Sequence, residues 1–208
     1  MKIFNLDLSG HSHRVRLMAS LLELNPTVIP VDLMNGAHKQ ADYLSINPFG
    51  QVPALQDGDV TLFDSNAILV FLATKYDGSE TWYPRNPLEA SQVQIWLSKA
   101  SNELANSVAA ARLVTVFKAG FDHQALLEKS AAFLSIVNKH LNARNWFVGN
   151  NPTIADVAMY SYIAHAPEGG IDLSEYPNIV SWVNHMEQLP GFIPMQSTET
   201  EAKLALTA

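Results

Sequence analysis

Two hydroxyls, one proline and an acid-serine pair are the residues of this chain whose types and spacing suit chemistry. Ser9 and Ser12 lie in "LSGHSHRVR", just after an apolar stretch, where Gly10 allows a tight turn into a helix beginning around Ser12. A hydroxyl beside a helix N-terminus is a donor for an anion, and these residues alone leave Ser9 and Ser12 both open for that role. In "NPFGQVPAL" (residues 47–55), Pro53 interrupts a strand-like run. A prolyl bond retains a trans preference of only about 0.5–1 kcal/mol, against about 2.5–4 kcal/mol elsewhere, so a cis Val52–Pro53 bond is predicted. Val52 would then lie extended at an open edge, its N–H and C=O available for antiparallel pairing with a peptide-like ligand. In "DSNAI", Asp64 or Ser65 caps the next helix, and the free N–H groups and dipole there favour a carboxylate.

The chain has no cysteine, which removes disulfides, thiolate metal sites and any protein-borne thiol nucleophile. Any sulfur chemistry must use sulfur from the substrate. His123, His140, His165 and His185 lack metal-ligand spacing such as H-E-x-x-H, so no metal is predicted.

The elements that must position these residues alternate in the first third. "KIFNLD" reads as a strand and "HRVRLMASLLEL" as a helix carrying Val15, Met18, Leu21 and Leu22. "TVIPVDL" is a strand that Pro30 confines to an edge, and "ADYLSIN" holds a short helix. "VPALQ" and "VTLFD" form a hairpin through Asp57-Gly58, followed by the helix "DSNAILVFLATKY". After a Gly- and Pro-bearing connection the strand signals stop. Residues 88–117 read as one long helix without Gly or Pro, and "HQALLEKSAAFLSIVNKHLNAR" as a second amphipathic helix. "PTIAD" carries a capping box in which Thr153 and Asp156 serve each other, making Asp156 structural. Trp96, Phe133 and Trp182 read as core, and the C-terminal stretch as a covering tail. The order predicts an α/β thioredoxin-like domain over residues 1–78, a linker over 79–87 and an all-α domain over 88–208.

With 208 residues, 48% hydrophobic and 16% charged, the chain suits a packed globular fold. A formal charge of -7 disfavours a role in binding nucleic acid or anionic membranes. No apolar run has membrane-spanning or signal-peptide length, so a cytoplasmic protein is expected.

"NPFGQVPALQDGDVTLFDSNAI" closely resembles the glutathione-binding segment of glutathione transferases, nearest to the plant phi class. "PTIADVAMYSYI" and "APEGGIDLSEYPNIVSW" resemble the second domain of bacterial transferases, so the resemblance spans nearly the whole chain. It implies glutathione as co-substrate, with its cysteinyl unit on Val52 beside Pro53, its γ-glutamyl carboxylate on Ser65 and its ammonium group facing Asp64. The glycyl carboxylate is implied at Gln51, His38 and Lys39. The family pattern more often has Glu at position 64 and Arg at position 66, and a shorter acid reaches the ammonium less directly. The motif spacing favours Ser9 over Ser12 as donor to the glutathione thiolate, with His11 lining the mouth of the site. Leu8 and His11 on one side and Leu104, Val108 and Arg112 on the other are expected to form the electrophile site. The resemblance also implies a homodimer, in which Glu103 would reach the partner's glutathione. Three functions follow as alternatives: a transferase acting on hydrophobic electrophiles, a glutathione-dependent isomerase or peroxidase, and a catalytically silent scaffold.

Overall fold

A computed structural model of the chain describes residues 1–206. The apolar alternation at the N-terminus forms β1 (Lys2–Asn5), followed by α1 (Gly10–Leu21) and β2 (Thr27–Pro30). A 3₁₀ turn (Ala37–Lys39) and the short α2 (Ala41–Leu44) lead to β3 (Ala54–Asp57), β4 (Val60–Phe63) and α3 (Ser65–Tyr76). The strands form a mixed sheet of order β2-β1-β3-β4, with β1 parallel to β2 and antiparallel to β3, and β3 antiparallel to β4. This is the thioredoxin-like arrangement expected. Pro30 does lie in an edge strand, where its missing N–H costs no ladder bond. Gly58 takes φ +61° in the two-residue β3–β4 turn, a conformation that favours glycine.

The rest is helical. α4 (Pro87–Lys99) runs into a π-helical stretch (Ala100–Ala109) and then α5 (Ala110–Phe117). α6 (His123–His140), α7 (Ile154–Ala164), α8 (Pro177–Glu187) and α9 (Glu201–Ala205) follow. The expected single α-helix over 88–117 is therefore continuous in direction but not in winding. Its middle turns hydrogen-bond from i to i+5, which widens them and shifts the faces the side chains occupy.

One apolar core joins sheet and helices, running from Ile3, Leu17 and Leu69 to Leu104, Met159 and Trp182. α1 seats on α7 through a polar contact inside this core: His13 Nε2–H donates to the Ile193 carbonyl (2.8 Å), so its Nδ1 accepts from Ser161 Oγ (2.8 Å). Asn66 Nδ2 reaches the Leu97 carbonyl and Ser101 Oγ, both at 3.0 Å, tying α3 to the long helix. The capping box is present at Thr153 and Asp156, and Asp156 also accepts from the Phe147 N–H and Trp182 Nε1. Burial nevertheless pushes the Asp156 carboxyl up to about 6, against the pull of those hydrogen bonds. Trp182 and Phe133 are buried, while Trp96 is partly buried against His140 and Phe147.

The C-terminal tail is fastened. The Thr198 N–H and hydroxyl bond the Glu168 carboxylate (2.9 and 3.0 Å), and the Thr200 hydroxyl bonds the Glu168 carbonyl (2.8 Å).

Candidate functional site

A cleft of about 400 Å³ opens between the edge of the sheet unit and the helical unit. Ser9 enters it as the N-cap of α1, which begins at Gly10, two residues earlier than the sequence suggests. Ser9 Oγ accepts from the Ser12 N–H at 3.2 Å. A hydroxyl has one proton to give and two lone pairs, so this cap leaves the Ser9 proton free to donate. Ser12 is fully buried, its hydroxyl facing the Leu6 N–H at 3.4 Å, and it does not line the cleft. Gly10 serves a different purpose from the one its sequence context suggests. It does not take positive φ; a Cβ there would fall 2.7 Å from Tyr162 Cζ, so Gly10 admits the Tyr162 ring against the start of α1.

The second edge of the cleft is the segment before β3. The Val52–Pro53 bond is cis, as predicted. Val52 precedes the strand, and its N–H and C=O have no backbone partner among the described residues. The loop is braced from behind, because the Gln51 carbonyl accepts from Tyr43 Oη and Asn47 Nδ2, each at 2.7 Å. Gly50, at φ +60°, brings the backbone against the His38 carbonyl, which a Cβ would meet at 2.9 Å. His38, Gln51, Val52 and Pro53 line the cleft, whereas Lys39 is exposed and lies outside it.

The third edge is the start of α3. Asp64 caps it at φ +71°, a left-handed conformation uncommon for a residue with a side chain. Its Oδ1 accepts from the N–H groups of Asn66 and Ala67, both at 2.9 Å, and Oδ2 has no partner among the described residues. Ser65 lines the cleft, and beneath it lies Arg14, fully buried. Arg14 Nη1 donates to His11 Nδ1 (2.9 Å) and to Ser65 Oγ (3.3 Å). A guanidinium only donates, so His11 Nδ1 must be the acceptor and Nε2 carries the proton. Burial first, and the Arg14 charge second, lower the His11 pKa to about 3, so the ring is neutral at neutral pH. Burial also lowers Arg14 to about 10, opposed by Tyr162 and Asp64, and it remains a cation. Its Nε and Nη2 have no partner among the described residues.

The helical wall differs from the expectation. Leu104 and Val108 are fully buried in the core and do not line the cleft; Ala105, Ala109, Arg112, Leu113 and Phe117 do. The lining positions keep an i, i+4 spacing but one residue on, because the bulky Leu104 and Val108 are turned into the core and the alanines are left facing the cleft. Arg112 lines the cleft while almost wholly buried. Its Nε pairs with Glu168 Oε2 at 2.6 Å and its Nη1 donates to the Leu8 carbonyl at 2.9 Å, which fixes the turn that carries Ser9. Burial raises the Glu168 pKa, but hydrogen bonds from His165 and the Thr198 N–H, and then the Arg112 charge, outweigh it and hold the carboxyl down to about 2. Glu103 is bonded to Lys99 and lies outside this cleft.

Comparison with known proteins adds to this geometry. The family model "Glutathione S-transferase, N-terminal domain" matches residues 8–75, and "Glutathione S-transferase, C-terminal domain" matches residues 110–190. Glutathione S-transferase 3 of Zea mays is 32% identical over 203 residues, covering 92% of this chain and 91% of its own. The chain belongs to the glutathione S-transferase family. It is an enzyme of that family, whose shared substrate is glutathione. A glutathione S-transferase from Pseudomonas fluorescens superposes on this transferase with a TM-score of 0.88 at 32% identity, covering 94% of this chain and 98% of that one. A glutathione transferase homologue from Drosophila mojavensis, solved with bound glutathione, gives a TM-score of 0.83 at 27% identity, covering 91% and 88%. In this transferase the N-terminal match contains Ser9, His11, Val52, Pro53, Asp64 and Ser65, and the C-terminal match contains Arg112 and Tyr162.

Tyr162, Arg14, Ala105, Ala109, Leu113 and Phe117 are among the cleft residues and supports that sequence reasoning missed. Alanines in an apolar helix carry no functional signal. The approach of Tyr162 to Gly10 spans 152 positions and leaves no local pattern.

Proposed function

We propose that this transferase binds glutathione in the cleft and stabilises its thiolate with the Ser9 hydroxyl for attack on a hydrophobic electrophile. The observation that carries the proposal is the Ser9 cap. Because Oγ already accepts from the Ser12 N–H, its proton is left for an anion at the mouth of α1. A free thiol has a pKa of about 8.5, and one hydrogen bond to a charged group is worth about 1.5–3 kcal/mol, or about one to two pK units. That makes thiolate a major species near neutral pH. Ser9 is a donor and never the nucleophile.

In this reading the unpaired Val52 backbone holds the cysteinyl unit by single-residue strand addition. Ser65, with its own N–H at the start of α3, receives the γ-glutamyl carboxylate, the next N–H groups being held by the Asp64 cap, and the buried Arg14 cation lies beneath. Asp64 Oδ2 faces the ammonium group, and Gln51 and His38 take the glycyl carboxylate. Lys39, outside the cleft, contributes only long-range charge. Leu8, His11, Ala105, Ala109, Leu113 and Phe117 bound the electrophile. His11, with Nδ1 occupied, offers an N–H rather than a base. The glutathione-binding unit is residues 1–78 and the electrophile unit residues 88–208, working as a cytoplasmic homodimer; Phe49, 71% exposed beside Phe63, offers such an assembly an apolar contact.

The test is retention on immobilised glutathione followed by conjugation of an aromatic halide. Retention and turnover, with turnover cut in Ser9→Ala far more than glutathione affinity, are expected. Retention without turnover on any electrophile would favour a silent scaffold, and turnover confined to isomerisation or peroxide reduction would favour those chemistries.

A further inference from the structure

The peptide unit that leads into Ser9 is held at both ends. The Ser9 N–H donates to the Leu6 carbonyl at 2.9 Å, and the Leu8 carbonyl of the same unit accepts from Arg112 Nη1 at 2.9 Å. A peptide unit is planar, so these two bonds set its tilt and with it the direction in which Ser9 leaves the chain. The first bond is local. The second comes from α5 and is only as fixed as Arg112, whose Nε is bonded to Glu168 Oε2.

Glu168 is in turn held by the C-terminal segment. Its buried carboxylate accepts from Arg112 Nε (2.6 Å) and the Thr198 hydroxyl (3.0 Å) on Oε2, and from His165 Nδ1 (2.8 Å) and the Thr198 N–H (2.9 Å) on Oε1. Of these donors, Thr198 is the one that bonds both oxygens. The last torsion of a glutamate is soft, so a residue gripping both oxygens decides how the carboxylate plane is turned toward Arg112. The backbone beside it has no such freedom. A Cβ at Gly169 would fall 2.9 Å from the Arg112 backbone nitrogen, so this turn lies directly against α5. The segment bearing Thr198 is itself anchored on either side, by the Ile193 carbonyl on His13 Nε2 and by the Thr200 hydroxyl on the Glu168 carbonyl, both at 2.8 Å.

We propose that Thr198 is a positioning residue for Ser9, acting through the Glu168 carboxylate and Arg112 on the Leu8–Ser9 peptide. The C-terminal segment thus completes the thiolate site from outside the cleft. The inference rests on the reading of Ser9 as the thiolate donor. A hydrogen bond to an anion weakens as its donor turns out of line, so a tilted Ser9 peptide lowers the thiolate fraction without removing any group that grips the tripeptide.

The experiment uses Thr198→Val, which keeps the N–H and the shape but loses the hydroxyl on Oε2. The other donors to Glu168 remain, so the chain folds. The bound glutathione thiol, followed by ultraviolet absorbance against pH, should ionise about half a unit higher, and kcat near neutral pH should fall about threefold with KM for glutathione near that of the parent. Thr198→Ser restores the hydroxyl and should restore the parent thiol pKa and kcat. Thr200→Val loosens the same segment through the Glu168 main-chain carbonyl, leaving the carboxylate alone, and should lower the melting temperature without moving the thiol pKa. An unmoved thiol pKa in Thr198→Val, where Ser9→Ala raises it, overturns the role of Thr198 and leaves the Ser9 reading standing. Equal shifts in Thr198→Val and Thr200→Val also overturn it, since general loosening of the segment then suffices. A thiol pKa unmoved in Ser9→Ala removes the Ser9 reading, and this inference with it.

Discussion

Replacing Ser9 separates its observed duty, capping α1, from its proposed one, donating to the thiolate. Ser9→Ala removes both. The lost cap, now accepting from the Ser12 N–H at 3.2 Å, should cost about 1 kcal/mol of stability, or a Tm drop of about 2–4 °C for a chain of this size. The lost donor should raise the pKa of the bound glutathione thiol by about one to two units, reducing thiolate at neutral pH to a minor fraction and turnover by about tenfold or more. Ser9→Gly retains most of the cap's stability, since glycine costs only a few tenths of a kcal/mol there, but lacks the donor. The two variants should therefore differ in Tm and agree in thiol pKa. The assay is ultraviolet absorbance of bound thiolate against pH, beside thermal melting. A bound thiol that ionises as in the parent protein in both variants, or a shift that appears instead in Ser12→Ala, would refute the assignment of Ser9.

Ser65→Ala should weaken glutathione binding by about tenfold while leaving the bound thiol pKa near that of the parent, checked by calorimetric titration. Glu168→Ala strands the buried Arg112 charge and should cost about 3–5 kcal/mol in urea unfolding, together with a looser Leu8–Ser9 turn seen as a fall in kcat. Acidification should destabilise the fold well above the carboxylate range. Burial lowers His11 to about 3 and His13 to about 4, so between these values and 6.5 the unfolded chain binds two more protons at these sites. Asp156, raised by burial to about 6, binds one more in the folded state and offsets half of this, leaving a loss of at least about 1.4 kcal/mol per pH unit from about pH 6 to 4, to which His140, lowered by burial, and Glu168, held down to about 2, both add. Urea midpoints that stay flat over that interval would refute this accounting. Ala109→Leu should fill the electrophile wall, lowering turnover of bulky electrophiles several-fold with little change in glutathione affinity, measured across a size series.

The parts of the site proposed to hold a peptide-like ligand were legible because each is a local backbone device. Pro53 marks its own bend, the acid and serine of "DSNAI" mark a helix start, and Asp57-Gly58 marks the hairpin that brings β3 beside β4. The same locality explains the errors. Ser9 and Ser12 both stand at the helix entry, and only packing shows one hydroxyl in the cleft and the other buried at Leu6. Leu104 and Val108 looked like the facing positions because bulky apolar residues at i and i+4 outweigh alanines in any pattern. The helix is apolar on several faces, so its phase was open until packing buried Leu104 and Val108 in the core.

By itself, the sequence determined the order of strands and helices, the edge where Val52 lies open and the capped start of α3, since each depends on residues within a few positions of one another. Tertiary structure alone decided what surrounds the Ser9 turn and the start of α3. Arg112 reaches Leu8 across 104 positions, Arg14 meets Ser65 across 51, and Tyr162 closes on Gly10 from the other end of the chain. Such contacts arise when separate apolar faces are buried together, and the residues that meet are set by helix phase and packing rather than by any spacing along the chain.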